Sequence, residues 1–297
     1  MNDGKSPVTA WLRALRLHQW SKNLFVFVPV LLGHAYDDPA KIATSAAAFL
    51  ILGVLVSAGY LLNDVSDLEA DRAHKSKRHR PFASGELSPR AGLAVAAGLT
   101  LAAFAGAIAL SRSFAAVLLI YLLLTVSYSL WLKTVALIDV AAIATMLTLR
   151  IAAGAAVIGT GQSPWLLSFS GAFFLSLALA KRHGELMQAA RTGPGPIAGR
   201  GFRSEDWPLT LAFGVGAGLA SIVIMLLYLA NDAAPSGFYP HQGWLYAVPC
   251  VVLVWLMRVW VLSHRTELHD DPVIFALKDP ASLAFAAVVA GAFMLAL

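Results

Sequence analysis

Charge is scarce in this chain. Lys and Arg number 22 and Asp and Glu 17 in 297 residues, or 13% of the sequence, where a soluble domain carries about a quarter. So few charges cannot cover a water-soluble globule of this length. A soluble globular enzyme, a disordered chain and a nucleic-acid binder are therefore excluded, despite a net charge of +5 and a pI near 9.4. Cysteine is almost absent: Cys250 stands alone in an apolar run, which rules out an internal disulfide. Apolar residues fill the space, at 58% of the chain with a mean hydropathy of +0.70. Basic charge in so apolar a sequence faces a membrane surface or a phosphorylated substrate.

A membrane-crossing helix takes roughly 20 mostly apolar residues. Nine stretches meet that description: about 20–36, 41–62, 90–110, 114–132, 135–159, 164–180, 207–230, 244–263 and 279–297. The first is short and carries Lys22. Residues 1–16 lack a signal-peptide pattern; with Arg13 and Arg16 beside Trp11 and Leu12 they read as an interfacial segment. With the N-terminus inside, all 22 Lys and Arg residues except Lys41, Arg112 and Arg150 fall on one side. The positive-inside rule then places loops 63–89 and 181–206 in the cytoplasm and the C-terminus opposite; the expected location is a bacterial-type inner (plasma) membrane. These are the long polar connections, and function concentrates in such loops. They follow spans two and six, which suggests a duplicated four-helix unit with a ninth helix added. The expected fold is all-α: one polytopic domain over 1–297, its nine helices around a central polar cavity open to the cytoplasm.

Directly after the second apolar run comes Asn63-Asp64-Val65-Ser66-Asp67-Leu68-Glu69-Ala70-Asp71. Continued helically, the spacing puts Asp64, Asp67 and Asp71 on one face, a turn apart. Three like charges on one stripe require a cation. An all-oxygen set suits Mg²⁺, which keeps several waters and is shared with substrate phosphates. Asn63 adds a neutral amide to orient a phosphate or water. The alternative is a solvated loop whose acids balance Arg72 and Lys75, but such a loop has no reason to space its acids helically where a span meets water. Lys75-Ser76-Lys77-Arg78-His79-Arg80-Pro81 follows, a cationic wall for an anionic group or else a headgroup anchor. His74 and His79 read as exposed, with no third soft ligand at suitable spacing.

Nine spans, N-D-x-x-D-x-x-x-D after the second, and K-R-x-R-P beyond it resemble the UbiA superfamily of intramembrane prenyltransferases over essentially the whole chain. Members that prenylate aromatic acceptors carry a second aspartate-rich motif after span six. Here that position reads Lys181-Arg182-His183-Gly184-Glu185-Leu186, with Arg191, Arg200 and Arg203 following and Glu205 and Asp206 at the far end. K-R-x-x-E, with Gln19-Trp20-Ser21-Lys22-Asn23 at the first span, is similar to the polyprenyl-phosphate phosphoribosyltransferase branch. That resemblance implies transfer of 5-phosphoribosyl from phosphoribosyl pyrophosphate to a polyprenyl phosphate, giving a cell-envelope glycan precursor. Lys181 and Glu185 are also spaced for a helical ion pair, and Lys181 and Arg182 for interfacial anchoring.

Asp139 and Arg150 fall within the fifth candidate span, where ionisable groups face a cavity or a partner. The resemblance at Leu137-Ile138-Asp139 and Leu149-Arg150-Ile151 implies that Arg150 reaches a substrate phosphate; a structural hydrogen bond to a neighbouring helix is the competing reading. Asn231-Asp232 reads as a turn.

The expected mechanism places Mg²⁺, with Mn²⁺ as its substitute, on Asp64, Asp67 and Asp71. Lys22, Asn63, Lys77, Arg80, Arg150, Lys181, Arg182 and Glu185 bind the substrates. Pyrophosphate departs from ribose C1 and an already anionic lipid phosphate oxygen attacks, so no general base is required. Expected partners are phosphoribosyl pyrophosphate, a polyprenyl phosphate and the bilayer, with no nucleic acid; a homo-oligomer stays open. One rival is a prenyltransferase joining a prenyl diphosphate to an aromatic or other small acceptor, with Glu185, Glu205 and Asp206 as its second acid set. A rival of another class is a lipid or small-molecule transporter using Asp139 and Arg150 as a path.

Overall fold

The computed structural model describes residues 7–73, 77–191, 193–197, 199–233, 237–268 and 271–297; Lys5, His74, Lys75 and Ser76 of the basic stretches lie outside them. The described residues are helical, with one isolated bridge, Pro196 to Arg203, and no strand. The helices are α1 (Pro7–Leu15), a 3₁₀ segment (Leu17–Phe27), α2 (Val28–Leu32), α3 (Pro39–Ser66), α4 (Leu68–Ala73), α5 (Pro89–Leu110), α6 (Arg112–Leu130), α7 (Ile138–Ile158), α8 (Pro164–Ala190), α9 (Trp207–Tyr228), α10 (Ala247–His264), α11 (Pro272–Lys278) and α12 (Pro280–Ala296).

Starts are set by a polar cap followed by proline. Asp38 accepts from the Ala40 and Lys41 amides ahead of Pro39, Ser163 from Leu166 ahead of Pro164, and Asp271 from Val273 ahead of Pro272. Each cap satisfies amides that the first turn leaves without a partner, and proline there loses no helical hydrogen bond.

Seven helices among the described residues are long and apolar enough to cross a membrane, and an eighth is reached if α11 and α12 count as one bent span. The two remaining expected spans take other forms. Residues 17–32 form a 3₁₀ segment and a short α-helix in place of one long helix. A 3₁₀ run of this length is uncommon because its hydrogen bonds are poorer; packing holds it here. The Trp20 ring fills the notch at Gly53, where a Cβ would lie 2.6 Å from it, and Trp20 Nε1 donates to Ser57 Oγ at 3.0 Å. On another side, a Cβ at Gly154 would lie 2.1 Å from the Val26 carbonyl oxygen. At the other end of the chain α11 and α12 meet at 81°. Asp279 is extended there, because the residue before a proline avoids the helical region, and it caps α12 through the Ser282 amide. Asn231-Asp232, expected as a turn, lies in a π-helical turn closing α9.

The polar connections are more helical than the sequence suggests. The helix of span two runs to Ser66 and resumes at Leu68, and the Asp71 amide still reaches the Asp67 carbonyl at 2.8 Å. Helix α8 continues to Ala190, so Lys181, Arg182 and Glu185 sit on a helix and not in a loop.

The chain divides into two compact units. The first holds residues up to Leu132 with Leu149–Gln162; α3 packs against α5, α6 and the 3₁₀ segment. The second holds Lys133–Thr148 with Ser163–Leu297; α8 and α9 are its main pair, locked by Ser176 Oγ, which donates to the Gly214 carbonyl at 2.7 Å and accepts from Trp260 Nε1 at 3.1 Å. Gly154→Ala is expected to cost about 1–3 kcal/mol through forced displacement of residues 26–29. Gly171→Ala, with no atom within 4 Å of its Cβ, should be neutral or stabilising. Thermal melting in detergent measures both.

Candidate active site

Asp64 lies at the last full turn of α3 with 2% exposure, and its Oδ1 accepts from Arg16 Nη2 at 2.5 Å and Arg80 Nη1 at 3.2 Å. The same Arg80 nitrogen donates to Asp71 Oδ2 at 2.7 Å. Two carboxylates a helical stripe apart therefore converge on one guanidinium nitrogen. Asp67 is turned to Asn63, whose Nδ2 donates to it at 3.2 Å. Arg80 arrives on the turn after Lys77–His79, anchored by buried Pro81 and Phe82. Arg16 adopts a left-handed conformation, φ 49°, between α1 and the 3₁₀ segment, with its guanidinium 4.8 Å over the Tyr60 ring.

Of the expected site residues in this unit, Asp64, Asp71 and Arg80 come together, with Asn63 and Asp67 paired beside them. Lys77 is exposed on its short helix and Lys22 is half-buried on the 3₁₀ segment. Arg150, 5% exposed, donates through Nε to Asn23 Oδ1 at 3.1 Å and through Nη2 to the Tyr121 hydroxyl at 2.9 Å. Those bonds tie α7 to the 3₁₀ segment and α6. Sequence reasoning missed Arg16, which it placed at the interface. Its separation of 48 residues from Asp64 leaves no local signal.

The second unit has its own buried acid. Asp139, in the first turn of α7, is fully buried. Arg182 Nη2 stands 2.7 Å from its Oδ2, and Arg200 Nη1 donates to its Oδ1 at 3.3 Å. Arg182 also donates to Glu185. The pairing differs from the sequence expectation: Glu185 takes Arg182, three residues before it, and Lys181 takes Asp271 at 3.4 Å. Asp139 and Arg200 went unassigned because their meeting with Arg182 is tertiary. His183, also buried, stacks on His264 with a 3.1 Å nitrogen–nitrogen contact, its other nitrogen facing the Trp207 carbonyl and Thr210.

Among the described residues, no three of His, Cys, Asp and Glu gather as a ligand set. A hard divalent cation needs only one or two carboxylates when waters and substrate phosphates complete its shell. Asp64 and Asp71 supply two oxygens aimed at one point already taken by positive charge. The chemistry of the first unit's donors fits such an ion.

Apolar helices of spanning length and two acid–arginine centres, each within its own unit, define a multi-pass helical membrane protein with buried charged clusters. The model of the UbiA prenyltransferase family matches residues 26–295, and the chain belongs to that family, a family of transferases. It is 48% identical over 291 residues to y4nM of Sinorhizobium fredii, covering 98% of this chain but 56% of that protein, so it spans about half of that relative's length. It is 34% identical over 283 residues to nodulation protein NoeC of Azorhizobium caulinodans, covering 94% and 90%. It is 33% identical over 190 residues to the decaprenyl-phosphate phosphoribosyltransferase of Mycobacterium tuberculosis, covering 63% of each. Among solved structures, a UbiA homologue from Archaeoglobus fulgidus bound to GPP and Mg²⁺ superposes with a TM-score of 0.71 at 14% identity, over 96% of this chain and 99% of that one. At that identity the likeness is one of fold.

Asp64 is buried, so stripping its counter-charges should be costly. Arg16→Gln and Arg80→Gln are each expected to lower stability by about 1–3 kcal/mol. In an Asp64→Asn background either change should cost much less, a coupling that a double-mutant cycle of unfolding in detergent measures.

Proposed function

We propose that the protein transfers the 5-phosphoribosyl group of phosphoribosyl pyrophosphate to a polyprenyl phosphate, releasing pyrophosphate. The observation that carries this reading is the makeup of the second centre. Arg182 and Arg200 surround Asp139 there, and Glu185 is already bound to Arg182. That centre offers cations for phosphate in place of an acid set for a second metal. The sequence similarity to decaprenyl-phosphate phosphoribosyltransferase supports the same choice.

In this reading Asp64 and Asp71, with Asp67 beside them, hold Mg²⁺, for which Mn²⁺ can substitute. Bound there, the ion would neutralise charge on the donor diphosphate. The structural relative with bound Mg²⁺ favours a divalent ion. Arg16 and Arg80 bring fixed positive charge to the same carboxylates, and Asn63 orients Asp67 through its amide. Lys22, Lys77 and Arg150 serve substrate anions in the first unit; Lys181 and Arg182 do so in the second, with Glu185 steadying Arg182. The bond from ribose C1 to the diphosphate oxygen breaks, and a bond from C1 to a lipid phosphate oxygen forms. That oxygen is anionic at neutral pH, so no base has to take a proton. Preorganised charge then supplies most of the rate. The lipid-linked phosphoribose serves as a precursor for envelope glycans. The orientation follows the positive-inside rule, with motif residues facing the cytoplasm of a bacterial-type inner membrane, where the polyanionic donor is found.

A second reading, prenylation of a small acceptor by a prenyl diphosphate, is favoured by the GPP bound to the structural relative. Purified protein given Mg²⁺, labelled phosphoribosyl pyrophosphate and a polyprenyl phosphate separates the two. Label should pass to the organic phase, stop with EDTA, and fall on the order of 100-fold or more in Asp64→Ala and Asp71→Ala. Label that stays aqueous while a prenyl diphosphate and an aromatic acceptor are joined would establish the second reading instead.

A further inference from the structure

We propose that Asp139 is a positioning residue that clamps Arg182 and Arg200 into a recognition pair for a phosphate monoester. The inference deepens the phosphoribosyl reading, since the donor carries such a group at its 5-position, and it rests on that reading for its substrate. Its geometry lies wholly within the second unit.

The two arginines come from different elements. Arg182 stands on α8, and Arg200 on the connector between α8 and α9. That connector is laid against the residues just before α7. A Cβ at Gly201 would lie 2.3 Å from the Thr134 carbonyl oxygen and 2.4 Å from the Ala136 nitrogen, so only glycine permits the approach. The Pro196–Arg203 bridge and the Ile197 amide bonded to the Phe202 carbonyl at 2.9 Å fold the connector back on itself at this point. Arg200 is thereby delivered to Asp139 from one side while Arg182 meets it from another.

Entry of Asp139 has its own conformational cost. Leu137, two residues before it, is held at φ 65°, a left-handed conformation that a bulky side chain disfavours. Strain of this kind persists where the surrounding structure over-determines it, and it clusters at functional sites.

The guanidinium of Arg182 is fixed at both ends but not satisfied. One terminal nitrogen faces Asp139 and the other faces Glu185, and the group lies 5.8 Å from the Phe202 ring centroid. Its Nε, on a side chain 2% exposed, has no hydrogen-bond partner among the described residues. A buried guanidinium N–H left over costs free energy unless something accepts from it. The group that suits it is an anion with several oxygens, which takes planar donors from two arginines at once. Asp139 and Glu185 together balance the two positive charges, so a ligand here answers the unsatisfied Nε donor and not surplus charge. Without Asp139, two guanidinium ions would repel and Arg200 would lose one of the contacts that hold its head.

The test uses ribose 5-phosphate as the probe. It carries the monoester without the diphosphate and so does not call on Asp64 and Asp71. In the full-length protein in detergent, ribose 5-phosphate should raise the melting temperature of wild type and of Asp64→Ala alike. It should give no shift in Asp139→Asn or in Arg200→Gln, the latter replacing a partly exposed side chain while Arg182 still faces Asp139. In turnover, Asp139→Asn should raise the KM for phosphoribosyl pyrophosphate about tenfold or more, with kcat changed by less than about threefold. The Asp139→Asn/Arg200→Gln pair should lose no more than Arg200→Gln alone. A probe shift that survives in Asp139→Asn, or that is missing from wild type, overturns the inference; so does a loss confined to kcat. Should wild type transfer no phosphoribosyl group yet show the probe shift, with Asp139→Asn abolishing it, the substrate reading fails and the clamp stands.

Discussion

A carboxylate buried among apolar helices is tolerable only when fixed positive charge stands against it. Removing one partner of such a pair exposes the full desolvation cost of the other. Much of this structure follows from that constraint. Asp64 and Asp139 are almost wholly buried, one in each unit, and each meets two arginines from separated parts of the chain. The arginines in turn fix the connections that carry them: the junction after α1, the turn before α5 and the connector before α9. These centres organise backbone as well as charge.

The backbone near both acids shows what this arrangement demands. Arg16, which contacts Asp64, and Leu137, two residues before Asp139, occupy left-handed conformations that side-chain-bearing residues avoid. Two close approaches are made possible by missing side chains. Gly154 receives the carbonyl of Val26, and Gly201 lies flush on residues 134–136. Helix α7 carries Asp139 in its first turn, within the second unit, and Arg150 three turns on, within the first, where it bonds to Asn23 and Tyr121.

The apolar runs were legible because a spanning helix leaves a long, uncharged signature. Seven of them stand in the structure as helices of spanning length. The nearness of Asp64, Asp71 and Arg80 was legible because they are close in sequence; that Asp67 turns to Asn63 and leaves a pair in place of three was not. Other features needed tertiary information. The 3₁₀ form of residues 17–27 depends on Gly53 and Gly154, far along the chain. The 81° bend at Asp279-Pro280 is local chemistry, but hydropathy alone reads straight through it. The stretch from Lys181 to Glu185 was read as loop because of its charge, whereas it is the polar end of a helix whose charges pair with Asp139, Asp271 and one another. Arg16 reads from sequence as an interfacial residue and Arg200 as one more cation of the second loop; only the fold supplies the acids they meet.

Membership of the UbiA prenyltransferase family places the protein among transferases, and the proposed choice of donor rests on the arginines of the second centre. The most direct measurement is a one-pot competition. Purified protein in Mg²⁺ receives phosphoribosyl pyrophosphate, a polyprenyl phosphate, a prenyl diphosphate and an aromatic acceptor together, and the lipid extract is analysed by mass spectrometry. The account predicts a polyprenyl phosphate heavier by one phosphoribosyl group, with the aromatic acceptor unchanged. A prenylated acceptor alongside unmodified polyprenyl phosphate would contradict it.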